Sequence, residues 1–517
     1  MTFGVLLVGV AGVAYSNGLS GPFIFDDRPN IRDNLKLHQL WPIWDAMWAP
    51  LQAIGVCGRP VVHLSFVLDY ALNRLNVVGY HADSVLLYIL TGLTLFGVAR
   101  RTLLRPVLAS RFARHATPLA FVTALVWEIH PLLCESVDYL SARTEILAGL
   151  FMLLTLYCAI RAESSPRRVL AWRLAAIGAC TLGTGAKETM VAAPALVVLY
   201  DWIFFSKSLP QLIRRNGAFY AGLLASLVFI PLNLSMANFH RSAFAAADLM
   251  NTFDYLKIQA EVLVHYARLS VWPDLLSIDY TWPEQSTLLS VWPQALLVVL
   301  LLSATVFGLV RRSPAAFAGA WFFVILAPTS SFLVLPTEIA AERRMYVPLM
   351  GLVALVVLGG YRLVVGLEKH LPVIPRAAVW FVATAVLALV ATGEMWRTLT
   401  RNEDFKDPVR LWSDVTERQP RNRRALYNLA YEQAIRGEDQ AAADSYQQIL
   451  RINPNEPDAW NSLAAIRMKA GDREDAVRCL HAALAIRPEF ADALRNLALV
   501  SVQSGNLAEA SDTAAKR

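Results

Sequence analysis

The sequence predicts an all-α membrane protein, a polytopic bundle of about eleven apolar helices followed by a helical repeat array. Three observations carry this. The 517 residues are 56% hydrophobic and only 17% charged, against about 25% charged in ordinary soluble domains. Apolar stretches near the roughly 20 residues that cross a bilayer recur as far as residue 400. From Pro420 the pattern changes, and Pro420, Pro454 and Pro488 follow one another at a constant 34-residue spacing. Charge follows the same division. From Asn402 on lie 16 of the 47 basic and 18 of the 41 acidic residues, leaving 31 basic and 23 acidic before it. A soluble enzyme, a disordered chain and a nucleic-acid binder of ordinary design are excluded, because there is too little charge to clothe them.

The first expected span, 2–19, contains the run Val5 to Tyr15. No basic segment precedes it and no small-residue cleavage pattern follows, so it reads as a retained signal anchor. Further spans are expected at 82–99, 117–133, 144–161, 170–185, 190–205, 217–235, 288–310, 316–335, 345–364 and 377–396. Basic clusters alternate with loops that lack them: Arg100 to Arg114, Arg161 to Arg173, Lys207 to Arg215, Arg311 and Arg312, then Arg362 to Arg376. The positive-inside rule makes these loops cytoplasmic, with the N-terminus inside and the tail outside. The stretch 254–272 is helical in pattern but carries Lys257, Glu261, His265 and Arg268, so it is expected to lie on the outer surface or dip into a cavity rather than cross. The outer side then receives the large loop 20–80, the reversal His130 to Arg143, the Lys187 turn and the segment before Arg344.

The tail, 401–517, has the tetratricopeptide pattern of two antiparallel helices per unit, with repeats near 421–454, 455–488 and 489–517. Gly437, Gly471 and Gly505 keep the register, as do Ala442, Ala476 and Ala510, and Leu429, Leu463 and Leu497. Such stacks build a concave face for a peptide or protein. Tyr427, Asn428, Trp460, Asn461 and Asn496 are the candidate contacts. A structural spacer or a self-association module is the alternative.

Polar residues gather at the outer loop tips. Asp26 and Asp27 follow the first span, where two carboxylates are costly unless solvated, paired or used. Asp27 begins Asp-Arg-Pro-Asn, which is also a good turn sequence. His130, Glu135, Arg143 and Glu145 occupy a tight reversal in which Ser141 with Thr144 or Glu145 would cap the next helix. Lys187-Glu188 and Glu342-Arg343-Arg344 repeat the theme. A local ion pair explains each alone, but their shared face suggests an extracytoplasmic site.

Phe25-Asp26-Asp27 with Asn34, Arg59-Pro60, Gly79-Tyr80-His81, His130-Pro131, Glu135, Arg143, Glu145, Lys187-Glu188, Tyr200-Asp201 and Ala341-Glu342-Arg343 occur in a particular order. That ordered set resembles the transmembrane and tetratricopeptide-repeat O-mannosyltransferases and their bacterial relatives, in the GT-C glycosyltransferase superfamily. The likeness covers essentially the whole chain, though the tail here has about two and a half repeats where eukaryotic members have many more. It implies a GT-C-like catalytic domain over 1–400 that takes a sugar, a hexose such as mannose, from a polyprenyl-phosphate donor and passes it with inversion to a Ser or Thr hydroxyl of an exported protein. It implies Asp26 or Asp27 as base. Arg343 or Arg344 is then first choice for the donor phosphate, with Lys187, Arg143 and Arg59 behind, and His130, Glu135, Glu145, Glu342 and His81 line the donor or acceptor pocket. No cofactor is expected beyond the lipid-linked donor; Asp26, Asp27 and Glu135 offer a divalent-metal alternative that is not favoured. A lipid or envelope-glycan acceptor and a non-catalytic membrane-anchored scaffold remain as alternatives. The outer face is periplasm in a bacterium and endoplasmic-reticulum lumen in a eukaryote. Cys57 and Cys134, both assigned outside, are candidates for a disulfide.

Overall fold

The computed structural model describes residues 2–49, 56–206, 208–236, 250–282, 287–332, 334, 338–370 and 374–503. The chain forms two compact units, Met1–Lys406 and Asp407–Arg517. The described residues of both are helical, with no strand.

In the first unit the apolar pattern is turned inside out, as a lipid solvent requires. Helix Val77–Leu103 buries Tyr80, His81, Ser84, Tyr88 and Thr91 on one face, while Leu86 and Leu90 are exposed. Those buried positions recur every three or four residues, the spacing of one helical face. Backbone bonds are made within the helix, so side-chain polarity alone decides which face turns to the core. Helix Arg143–Ser164 is enclosed along most of its length and packs against Val77–Leu103 and Val169–Thr184. Helices Leu288–Val310 and Arg376–Lys406 are peripheral and expose mainly Leu, Val and Phe.

Seven helices among the described residues are long and apolar enough to cross a membrane. The count becomes eight if Pro106–Glu128 and Pro131–Asp138, bent by 57°, form one broken span. The expected number was about eleven, and the difference is one of length. The spans anticipated at 2–19, 117–133, 170–185 and 190–205 are helices Thr2–Ala14, Ala116–Glu128, Val169–Thr184 and Ala192–Phe204. Their 13 to 16 residues reach only about 20–24 Å at 1.5 Å per residue.

The stretch expected to lie at the surface forms helix Thr252–Leu269, which is not among the candidate spans. Its buried face carries Tyr255, Ile258, Gln259, Val262, Tyr266 and Leu269. Tyr255 Oη donates to the Thr329 carbonyl (2.6 Å) and Gln259 Nε2 to the Ile339 carbonyl (3.0 Å). Tyr266 Oη lies 2.9 Å from the Ala341 carbonyl and 2.8 Å from the Ala341 amide. The helix is a brace for the segment that leads to Arg343.

The second unit pairs helix Arg423–Arg436 with Asp439–Ile452 and Pro457–Lys469 with Arg473–Ile486, then adds Ala491–Gln503. Ala430, Ala442, Ala464 and Ala476 are fully buried, small residues where helices meet closely. Gly437 and Gly471 end the first helix of each pair at φ 84° and 81°; a side chain in that left-handed region costs about 1–2 kcal/mol. Gly505, Ala510 and the second helix of the expected third repeat lie outside the described residues, as does Lys207.

Candidate functional site

The loop after the first helix is tied to the reversal between helices by its own side chains. Phe25 is held at φ 44°, a strained conformation for a non-glycine residue. Beside it the two carboxylates take different roles. Asp27 is fully buried, and its Oδ1 accepts the Ser141 amide and hydroxyl, both at 2.7 Å. Its Oδ2 accepts the Ile24 amide at 3.3 Å. Ser141 also accepts Asn30 Nδ2 at 3.0 Å. The expected helix-capping role of Ser141 is therefore corrected: helix Arg143–Ser164 has no side-chain cap, because the serine is committed to Asp27. Burial pushes the Asp27 carboxyl up to about 7, against the opposing effect of the Ser141 hydroxyl and amide. Asp26 is only half-buried, and its Oδ2 accepts the Tyr139 hydroxyl at 2.8 Å.

The Tyr139 ring links this carboxylate to a cation. Arg343 has its guanidinium carbon 5.9 Å from the ring centroid. It pairs with Glu135 and Glu338, and its amide donates to Glu135 Oε2 at 2.9 Å. Glu135 is fully buried, whereas the Glu338 side chain is 30% exposed. The segment carrying Arg343 is seated from below. Trp127 Nε1 donates to the Tyr346 carbonyl (3.0 Å) and Trp321 Nε1 to the Val347 carbonyl (2.8 Å). A Cβ on Gly149 would stand 2.6 Å from the Tyr346 ring, so only glycine admits this approach. Glu342 accepts the Ser277 amide and the Tyr280 hydroxyl (2.6 Å), and burial raises its carboxyl above the usual carboxylate range. Arg344 is turned inward and donates to the carbonyls of Ile339 (3.1 Å) and Glu338. Of the two adjacent arginines, only Arg343 faces Tyr139.

The other expected phosphate ligands divide. Arg143 is corrected to a core residue. It is almost fully buried, pairs with Asp69, donates to the Tyr80 carbonyl (2.7 Å) and Ser84 Oγ (3.1 Å), and lies over Phe66, so its donors are spent within the bundle. Lys187 pairs with Glu145, and Arg59 with Glu188 at 3.2 Å. Lys187, Glu188 and Arg59 line a small pocket with Cys57, Thr184 and Asn233. Burial raises the Glu188 carboxyl, but the charges of Arg59 and Lys187 outweigh this and hold it below the usual range. The expected pocket histidines are also committed. His130 Nδ1 accepts the Leu132 amide, and Nε2 lies 3.3 Å from the Ser270 carbonyl. That combination fits a neutral ring with its proton on Nε2. His81 Nε2 lies 3.1 Å from the Gly21 carbonyl. Both histidines anchor backbone.

The Cys57–Cys134 disulfide is likewise corrected. Both residues remain thiols; Cys134 is buried with Sγ 3.8 Å from the Thr398 carbonyl, while Cys57 lines the Arg59 pocket. Asp26, Asp27 and Glu135 are held by Tyr139, Ser141 and Arg343. Among the described residues no three His, Cys, Asp or Glu side chains gather as a metal would require. Sequence reasoning gave no role to Tyr139, Asp69 or Tyr280. Tyr139 lies within the His130 to Arg143 reversal, but nothing in its spacing pointed to a partner 113 positions away.

In the repeats, Tyr427 Oη lies 3.2 Å from Ser462 Oγ, and Asn496 Nδ2 donates to Asn461 Oδ1 at 2.9 Å. These bonds join the first helices of successive units. Asn428 is half-buried beside Tyr427. Trp460 Nε1 donates to the Pro454 carbonyl at 2.9 Å, which makes it a brace for the inter-repeat turn.

A tetratricopeptide-repeat family profile matches residues 397–457 and 462–517. Protein O-mannosyl-transferase TMTC1 of Homo sapiens is 24% identical over 530 residues, covering 89% of this chain and 56% of that protein. Protein O-mannosyl-transferase F38B6.6 of Caenorhabditis elegans is 23% identical over 468 residues, 87% of this chain and 63% of that protein. Protein O-mannosyl-transferase TMTC4 of Homo sapiens is 25% identical over 498 residues, with coverages of 85% and 65%. The chain spans between half and two-thirds of the length of these relatives.

Proposed function

We propose that this chain, a distant homologue of the TMTC family of O-mannosyltransferases in the GT-C superfamily, moves a sugar from a polyprenyl-phosphate donor to Ser or Thr hydroxyls of exported proteins. Mannose is the first candidate sugar. The observation that supports this reading best is the Asp26–Tyr139–Arg343 arrangement, which puts a partly exposed carboxylate and a guanidinium on one aromatic ring.

Asp26 is the base. It takes the proton of the acceptor hydroxyl while that oxygen bonds to the anomeric carbon, and the bond from that carbon to the donor phosphate breaks. The phosphate leaves with the electron pair as a stable anion, so a single inverting displacement needs no second carboxylate as acid. Arg343 stabilises the charge growing on it; one such pair at 4 Å and an effective dielectric of 20 is worth about 4 kcal/mol. Glu135 holds the guanidinium from the buried side, and Glu338 occupies the exposed side until donor phosphate displaces it. Asp27 holds the loop, and Lys187 with Arg59 form a second, reserve phosphate contact. In this reading the N-terminus is cytoplasmic, the site and repeats face the periplasm or endoplasmic-reticulum lumen, and Tyr427, Asn428, Asn461 and Asn496 present the acceptor polypeptide.

The test is direct. Purified protein, a polyprenyl-phosphate hexose and a Ser/Thr-containing acceptor peptide are expected to yield a peptide gaining one hexose of inverted anomeric configuration. No gain on any exported-protein sequence, together with altered envelope glycans in a deletion strain, would move the acceptor to a glycan or lipid.

A further inference from the structure

A cavity of the first unit lies away from the Asp26 site. It is a cleft of about 400 Å³ between helices Val77–Leu103, Arg143–Ser164, Pro314–Ala327 and Pro348–His370, a volume within the range of small-molecule pockets. Its walls are mainly apolar, with Thr102 and Thr123 among them, and run from Gly351 to Arg362 along one helix and from Leu95 to Leu103 along another. At 1.5 Å per residue those runs are about 16 Å and 12 Å long. The same rise puts Leu103 about 35 Å from Tyr80, at the opposite end of its helix.

The mouth has a different chemistry from the walls. Arg111 and Arg362 line it, both exposed, and among the described residues neither is engaged in an ion pair or hydrogen bond. Most other arginines at this end do have partners: Arg105 donates to Ser164 Oγ, Arg173 and Arg215 meet Glu163, and Arg312 lies over Trp202. Ser313 and Pro314 also line the cleft and begin the 14-residue helix Pro314–Ala327. The Ser313 side chain makes no capping bond there. The start of this helix carries partial positive charge; Pro314 has no N–H and the Ala316 amide donates to the Ser313 carbonyl at 3.0 Å, which leaves the Ala315 amide open. An apolar slot thus opens onto two uncompensated cations and an uncapped helix start.

We infer that this cleft is a binding site for an anionic glycerophospholipid, one acyl chain in the slot and the phosphate between Arg111, Arg362 and the start of helix Pro314–Ala327. A zwitterionic lipid would bring its own cation to the same mouth and lose the advantage. A polyprenyl-phosphate donor would need its phosphate at the Arg343 end, so it is not the occupant assigned here. The inference requires no catalysis, and only its exclusion of polyprenyl phosphate rests on the proposed placing of donor phosphate at Arg343.

The experiment is native mass spectrometry of the full chain in detergent, titrated separately with phosphatidylglycerol, phosphatidylcholine, inorganic phosphate and polyprenyl phosphate. Phosphatidylglycerol is expected to bind with a stoichiometry of one and to outlast phosphatidylcholine, with inorganic phosphate failing to displace it. Each arginine near an anionic lipid surface contributes about 1 kcal/mol, so Arg111→Gln with Arg362→Gln should weaken phosphatidylglycerol about 30-fold. The Arg111→Lys, Arg362→Lys pair should largely restore it. Ala354→Trp, which fills the slot and leaves both guanidiniums in place, should abolish binding, and it tests the cleft if the double Gln variant does not fold. Equal retention of the two phospholipids, an unchanged affinity in the double Gln variant, or one-for-one displacement by polyprenyl phosphate would each overturn the assignment.

Discussion

Asp27→Asn tests the division of labour between the paired carboxylates through pH. The wild-type Asp27 carboxyl titrates at about 7 in the folded chain, against an ordinary value of 3.8. Between those values the folded state holds a proton that the unfolded state has lost. Stability therefore falls as pH rises through this window. The stabilising contribution of the protonated group is fully present below pH 4 and gone above pH 7. A gap of about three units corresponds to roughly 4 kcal/mol, an upper bound that neighbouring relaxation will reduce. Asparagine has no such proton to lose. Its carbonyl can still accept the Ser141 amide and hydroxyl, but its amide would face the Ile24 amide, now left without an acceptor, at a cost of about 1–3 kcal/mol. The variant should accordingly unfold at lower temperature than wild type at pH 5 and recover, or surpass it, at pH 8. Intrinsic tryptophan fluorescence of both proteins in one detergent, followed during heating at each pH, reads the difference directly. Parallel pH profiles for the two would refute the buried-carboxylate reasoning.

Three further outcomes follow from the same contacts. Arg343→Ala removes the cation beside the fully buried Glu135 and should destabilise the first unit by about 3–5 kcal/mol, seen as a lowered unfolding temperature; an unchanged one would mean that Glu135 finds another partner. Glu338→Gln removes the exposed competitor for Arg343 and should lower KM for the lipid-linked donor severalfold with little change in kcat, whereas a raised KM would make Glu338 a donor contact. Gly437→Ala forces a side chain into φ 84° and should cost about 1–2 kcal/mol, measured as an earlier transition in the full chain; a neutral result would argue against a left-handed cap there.

The fold was legible where lipid acts as solvent. Leu86, Leu90 and their counterparts on Leu288–Val310 face outward, so hydropathy located these helices. It did not resolve the length of the short ones, because an apolar run cannot tell a 13-residue helix such as Ala192–Phe204 from a longer one once the chain turns at Phe205 and Ser206. The repeats were readable from their register alone. Within the site, the chemistry-bearing residues stood out, but their assignments depended on distant partners. Arg143 looked like Arg343 until Asp69, Ser84 and the Tyr80 carbonyl consumed it. Asp26 and Asp27 were equivalent in sequence, and only Ser141 and Tyr139, more than a hundred positions away, separate them.

The central claim is that Asp26 carries the proton transfer and Asp27 the architecture. The most direct measurement compares the single-turnover rates of hexose transfer by Asp26→Asn, Asp27→Asn and wild type, at saturating polyprenyl-phosphate hexose and one pH. Removing a positioned base typically costs about 10²–10⁴ in rate. Asp26→Asn should fall by at least the lower figure with its thermal unfolding unchanged, and Asp27→Asn should retain more activity than Asp26→Asn while showing the altered unfolding. Wild-type transfer by Asp26→Asn would contradict the account.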